Sequence, residues 1–196
     1  VLKRLLWFSE TSAVAAGTAI DFPTGSDVEG TAGATSFSLD NDAFHLLPYL
    51  GFAATPDDQL FAQGFIQVDV PLNGNDVAIA PGGSGVLDEQ ALLFLDVAAG
   101  YWLIREECGA CLTGLAPIVE LHYTTTLEDS DTVVLGAGPF TFSNAANRLD
   151  VLHVTAGLHA DFANGMNLRV GAVFPLRDDD DKVFDAEVQV PVNWRF

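Results

Sequence analysis

The last thirteen residues of the chain, 184–196, alternate between apolar and polar side chains at nearly every position. Apolar residues occupy every even position, from Phe184 to Phe196, and the odd positions are polar except for Pro191. Because successive side chains of a β-strand point to opposite faces, this segment predicts a strand with one wholly apolar face and one polar face. Such a strand needs an apolar environment on one side and polar groups or water on the other.

The same two-residue period predicts eight antiparallel strands in the chain. They cover residues 12–22, 43–55, 59–72, 89–104, 112–126, 148–162, 166–177 and 183–196. Short turns, such as 56–58 and 163–165, alternate with long Gly-rich or acidic loops at 24–42, 73–88 and 127–147. Short turns at one rim and long loops at the other are typical of up-and-down transmembrane β-barrels. The sequence therefore predicts an all-β, antiparallel transmembrane barrel.

Composition limits the classes of protein that this chain can belong to. Its 196 residues suffice for one domain, and we expect a single barrel domain over 1–196, with residues 1–10 as a periplasmic lead-in. The net charge of -19, with eight scattered basic residues, argues against nucleic acid as a partner. No apolar run approaches the roughly 18 residues of a transmembrane helix. The acidic clusters at 128–131 and 178–181 are expected at solvated loop tips.

The polar faces of the predicted strands carry both acidic and basic side chains. In a membrane barrel these faces point into the lumen, where acids and bases can pair across a narrow interior. The candidate lumen-facing residues are Gln63, Gln67, Asp69, Asp96, Glu120, His122, His153, His159, Asp161, Arg169, Asp185, Glu187 and Arg195.

Alternation alone does not decide which face points outward. A soluble lipocalin-like barrel encloses its apolar face around a ligand, whereas a membrane barrel turns that face to lipid. The predicted strands are long enough to cross a hydrocarbon band of about 25 Å. Aromatic residues near strand ends, such as Tyr101, Tyr123 and Trp194, are typical of interfacial girdles. These features favour the membrane barrel, and the soluble ligand-binding barrel is the alternative.

The C-terminal Trp194-Arg195-Phe196 resembles the terminal signal of Gram-negative outer-membrane barrels. Segments 19–25, 47–52, 59–65, 100–102 and 115–123 more narrowly resemble a planctomycete-type group of outer-membrane barrel proteins. The resemblance implies a place in the bacterial outer membrane, contact with membrane lipid and lipopolysaccharide, and recognition of the last strand by the assembly machinery. Members of the group tend to be longer at the N-terminus, so the resemblance also implies further N-terminal strands. It brings no catalytic residues.

The most motif-like element is Cys108-Gly109-Ala110-Cys111. Thiol–disulfide oxidoreductases use this spacing at a helix start in a βαβ unit, which the strand pattern does not provide. An oxidised pair that closes a periplasmic turn is the preferred interpretation, ahead of free thiols. His122, His153 and His159 are expected in a hydrogen-bonded interior network, and nothing is assigned to His45. We therefore predict no catalytic residues, no metal site and no cofactor.

The resulting functional hypothesis is porin-like passage of small solutes with no chemical step, and not an enzyme. An eight-stranded barrel has an interior just wide enough for side chains. A non-conducting structural or surface-display barrel is thus the alternative. The transported solute and the oligomeric state do not follow from the sequence.

Overall fold

The computed structural model describes residues 1–105, 111–136, 140–144, 148–177, 182 and 184–194. Regular structure in these residues is entirely β, in three antiparallel sheets. The strands are β1 (Leu2–Phe8), β2 (Ser12–Asp21), β3 (Val28–Ala32), β4 (Thr35–Leu39), β5 (His45–Ala54), β6 (Leu60–Pro71), β7 (Asn75–Ala80), β8 (Gly83–Leu87), β9 (Ala91–Tyr101), β10 (Ile104–Arg105), β11 (Leu112–Glu128), β12 (Val133–Leu135), β13 (Phe140–Phe142), β14 (Asp150–Phe162), β15 (Met166–Pro175), β16 (Glu187–Gln189) and β17 (Val192–Trp194). Over this described part, no helix is long and apolar enough to cross a membrane.

The largest sheet is a meander in which neighbouring strands are antiparallel and follow one another along the chain, with shorter strands in the connections between some of them. Its order is β1-β2-β5-β6-β9-β11-β14-β15, after which β16 and β17 both pair with β15, and β10 pairs with β11. Each of the eight predicted segments contains a strand of this sheet, so the all-β antiparallel prediction is confirmed. The total of about eight strands is wrong, because the described residues form seventeen.

The N-terminal residues join the sheet. Residues 1–10 were expected as a lead-in, but Leu2–Phe8 forms the edge strand β1 and pairs with β2. Its apolar residues do not alternate, and the register shifts between Leu5 and Trp7. A bulge adds one residue to a strand and so reverses the faces of everything beyond it. That shift hides the strand from a search for strict alternation.

The C-terminal strand is interrupted at Pro191. The flanking pieces β16 and β17 keep one continuous register against β15. Pro has no N–H to donate, but its carbonyl accepts a hydrogen bond from the Arg169 backbone at 3.0 Å. The even-position face holds from Val188 to Trp194. Phe184 departs from it, because the chain is not yet paired there and its ring packs on His153 at 4.8 Å between centroids.

Cross-strand register fixes two faces of the large sheet. On what we call the apolar face, direct partners run from Leu50 through Ile66, Leu95 and Tyr123 to Leu152. On the polar face, the row one residue away runs through Phe65, Asp96, His122 and His153. The residues of each row lie side by side on one surface. The predicted alternation therefore persists across the sheet.

The sheet has two edges, β1 and the β16–β17 strand, and the pairings of the described residues do not join them. The meander thus stands as an open antiparallel sheet. Its nine successive strand positions alternate in direction, so the first and last run the same way. Direct pairing of these two edges would be parallel, unlike the antiparallel pairings along the sheet.

The long loops are not irregular. Residues 28–39 and 75–87 form a four-stranded sheet, β3-β4-β7-β8, and residues 133–142 contain the β12–β13 hairpin. Val77, Ile79 and Leu135 are buried together at their contact. Around this core pack Phe37, Leu39, Leu87, Val133, Phe140 and Phe142. We call this unit the loop cluster. It was missed because its strands are only three to six residues long and are separated by Gly and Asp.

Glycines opposite aromatic residues recur in both larger sheets. In each case the ring covers the glycine of the neighbouring strand, in space that a Cβ atom would need. Ring cover of this kind replaces the packing that a glycine lacks. The pairs are Gly17–Tyr49, Gly30–Phe37, Gly64–Phe52 and Gly100–Phe61.

Candidate functional site

A cavity of about 650 Å³ opens on the polar face. Its lining comes from six successive strands, β1, β2, β5, β6, β9 and β11, so the sheet curves around it. Space is available because small residues face it from three of these strands, β2, β5 and β9. They are Ala13, Ala15, Gly51, Ala53 and Ala98.

One wall of the cavity is charged. The His122 ring lies between two carboxylates: Nδ1 contacts Asp96, and Nε2 lies 3.5 Å from Glu120. Gln63 faces the same wall, because it and Glu120 are the two cross-strand partners of Ala98. All four residues were predicted to face a lumen, and the structure places them together on the cavity.

The network continues from Glu120 away from the cavity. The Arg169 guanidinium lies 3.6 Å from Glu120, and its Nε donates to Nδ1 of His159 at 3.2 Å. Since Nδ1 accepts this bond, the proton of a neutral His159 ring is on Nε2, which lies 3.2 Å from Asp161. One chain of contacts across β9, β11, β15 and β14 thus joins six of the residues that were predicted to face the lumen. They are Asp96, His122, Glu120, Arg169, His159 and Asp161. Such interior networks satisfy charges that would otherwise be costly to bury.

A second network ties the large sheet to the loop cluster. His45 contacts Asp69 at 2.6 Å through Nδ1 and Glu89 at 3.2 Å through Nε2. The buried Asn75 donates to Glu89 at 2.5 Å, and its Oδ1 accepts from two backbone N–H groups, those of residues 42 and 43, at 2.9 Å each. Sequence reasoning assigned nothing to His45, Asn75 or Glu89. The sequence pattern carries no signal for these three residues, since their contacts depend on how the loops fold.

The other predicted lumen residues are dispersed. Gln67 lies on the polar face between Tyr49 and Phe94, away from the charged chain. His153 lies on the same face, with its Nε2 buried and without a hydrogen-bond partner. Glu187, on the edge strand β16, is exposed and accepts from Gln189 at 2.9 Å.

Asp185 is not on a strand, which corrects its predicted place. It is exposed in the loop before β16 and pairs with Lys182 at 2.5 Å. The hydrogen bond from Lys182, together with its charge, holds the pKa of Asp185 below its usual value. Arg195 lies outside the described residues.

Part of the polar face is filled by rings. Trp102 packs on Phe61 with 5.4 Å between ring centroids and edge-on to His159 at 5.7 Å. Ala116 and Ile118 are buried on the same face. The polar face is therefore packed here and open at the cavity.

The acidic loops contain charges that repel one another. Partial desolvation raises the pKa of Asp40, and the nearby carboxylates of Asp27, Asp42, Asp76 and Glu29 raise it further. Within the described ranges, no three His, Cys, Asp or Glu side chains are placed to hold a metal ion.

The predicted disulfide lies partly, and the second acidic cluster wholly, outside the described residues. Cys108 lies outside the described residues, so its pairing with Cys111 stays a prediction. Cys111 itself is exposed. The 178–181 acidic cluster also lies outside the described residues.

Comparison of the chain with protein-family models, with curated proteins and with solved structures gives no match.

Proposed function

We propose that this chain forms a β-barrel of the bacterial outer membrane, with its apolar face toward lipid and its polar face lining the interior. The exposed apolar face carries the proposal. Its large side chains are exposed across the sheet, at Leu50, Phe52, Leu60, Ile66, Val70, Val97, Tyr101, Val119, Leu121, Leu158, Val170, Phe174, Val188, Val192 and Trp194. A contiguous apolar surface of this extent is unusual in water and needs lipid or a partner to cover it.

The charges on this face lie at its margins. Arg4 is on the edge strand β1, opposite Ala16. Asp150 is at the start of β14, where it pairs with Arg177 at 2.8 Å beside the Tyr123 ring. Basic side chains and tyrosines at the rim of an apolar band suit the membrane interface. In the proposal, this surface contacts lipid and lipopolysaccharide, and the outer-membrane assembly machinery recognises the last strand.

The soluble lipocalin-like alternative requires the opposite arrangement. A soluble barrel encloses an apolar interior and presents polar residues to water. Here the cavity opens on the face that carries Asp96, Glu120 and His122, while the other face exposes leucine, valine and aromatic side chains. The side on which the sheet is concave therefore supports the membrane proposal over the soluble one.

Within the membrane, we assign the protein porin-like passage of small solutes through the cavity. Closure of the barrel is part of the proposal, either by a parallel pair between β1 and β16–β17 or through an added strand. The alternative function is a non-conducting structural barrel. It is favoured by the Phe61–Trp102–His159 stack, which fills part of the polar face.

Conductance across a planar bilayer tests the proposed passage of small solutes through the protein. Wild-type protein should give discrete conductance steps, and Ala15→Trp should reduce or abolish them because Ala15 lines the cavity. Ala16→Trp is the matched control, since Ala16 lies on the apolar face as the partner of Leu50. It should conduct like the wild type. A wild-type protein that inserts but never conducts would leave the structural barrel in place of the porin.

A further inference from the structure

We propose that the cavity on the polar face binds small organic cations that have an apolar body, such as aryl-alkylammonium ions. This inference deepens the proposed function by naming the solute class, and it depends on that function only for passage, since binding requires the folded cavity alone. A volume of about 650 Å³ lies within the range of roughly 300–1,000 Å³ found for small-molecule sites.

The charged wall supplies the attraction. Asp96 and Glu120 both line the cavity, and their side chains are only 25% and 20% exposed. Asp96 and Glu120 both contact the His122 ring, and Glu120 also has the Arg169 guanidinium at a loose 3.6 Å. Partly desolvated carboxylates attract a cation more strongly than carboxylates in bulk water. An ammonium group placed here completes the hydrogen bonding of both.

Apart from Lys3, the lining from β1 and β2 is apolar, and an aromatic ring lies beside the carboxylates. Leu5, Ala13 and Ala15 face the cavity from β1 and β2, and Phe65 is the direct cross-strand partner of Asp96. A hydrocarbon body therefore has a surface to cover while its charged end lies at the carboxylates. The Phe65 ring beside Asp96 also offers a cation–π contact to the same ammonium group.

Lys3 gives the cavity a polarity. It lines the far end, on edge strand β1, and four strand intervals separate it from β9, which carries Asp96. Its positive charge disfavours a cation at that end and leaves the carboxylate wall as the binding end. An aryl carboxylate has no hydrogen to donate to Asp96 and Glu120, and both of these carboxylates repel it.

Isothermal titration of the protein folded in detergent tests this with three probes of similar shape. They are 2-phenylethylammonium, the neutral 2-phenylethanol and the anion phenylacetate. The ammonium ion should bind at least tenfold more tightly than the alcohol, and the anion most weakly. The Asp96→Asn/Glu120→Gln double variant should bind ammonium and alcohol alike. Arg4→Gln, which removes a charge from the other face of the same edge strand, should retain the preference.

Ala98→Lys keeps the test decisive if the double variant does not fold. It leaves both carboxylates intact and places an ammonium group opposite Glu120, so it should abolish the preference for the added cation. Equal binding of ammonium and alcohol by the wild type would overturn the inference. A preference for ammonium that survives in both Asp96→Asn/Glu120→Gln and Ala98→Lys would overturn it too. A protein that conducts without the preference overturns this inference alone. One that shows the preference without conducting supports it and overturns only the porin.

Discussion

In the proposed membrane barrel, Ala156→Lys is expected to destabilise the inserted protein by about 2–4 kcal/mol, the cost of a lysine on a lipid-facing surface near the bilayer midplane. Ala156 is exposed on the apolar face, midway along β14, between its partners Val119 and Ala172. No carboxylate of the apolar face stands beside it in these pairings. The added ammonium group would lie in hydrocarbon or have to distort the bilayer to reach water.

Ala98→Lys is the matched control for that substitution. It makes the same chemical change on the polar face, where Ala98 lines the cavity and is the cross-strand partner of Glu120. We expect a much smaller loss, because the ammonium group remains hydrated and can pair with the carboxylate. Urea unfolding from lipid vesicles measures both. Equal losses in the two variants would contradict the assignment of the faces.

Val77→Ala should destabilise the loop cluster by about 2–3 kcal/mol, since it removes two buried methyl groups and leaves a cavity. Val77 is fully buried against Ile79 and Leu135, in a small core with few other side chains to compensate. The large sheet has its own pairings and should be unaffected. Hydrogen exchange, read separately for β7 and for the strands of the large sheet, measures the difference.

Val86→Ala provides the comparison in the same four-stranded sheet. Val86 is on β8, adjacent to β7, and is 51% exposed. Its truncation should change exchange protection by no more than about 0.5 kcal/mol. If truncation of Val77 and of Val86 reduced exchange protection equally little, the loop cluster would not have the packed core described for it. If Val77→Ala also unfolded the large sheet, the two parts would fold as one cooperative unit.

Sequence reasoning found the strands of the large sheet because their period of two is a local property. The parity of Asp96, Glu120 and His122 followed from the same pattern, so the face that carries the site was predictable. Their partners were not. Glu120 meets Arg169 through the registers of β11, β14 and β15, and the sequence does not state those registers.

The features that were missed share a physical cause. β1 contains a bulge, which breaks the period, and the strands of the loop cluster are too short for a period to be visible. The Asn75–Glu89–His45 contacts join segments that only the folded loops bring together. Alternation predicts structure where a strand is long and regular, and tertiary packing determines the rest.

The most direct test of the account is the environment of neighbouring side chains on opposite faces. Single cysteines at Ala98 and Ala99, and at Ala15 and Ala16, can carry spin labels in a protein whose Cys108 and Cys111 are replaced by Ser. In lipid vesicles, paramagnetic relaxation by oxygen reports contact with lipid, and relaxation by a water-soluble nickel complex reports contact with water. Labels at 99 and 16 should be the more accessible to oxygen, and labels at 98 and 15 to nickel. The reverse order, or equal accessibility within each pair, would contradict a lipid-facing apolar surface.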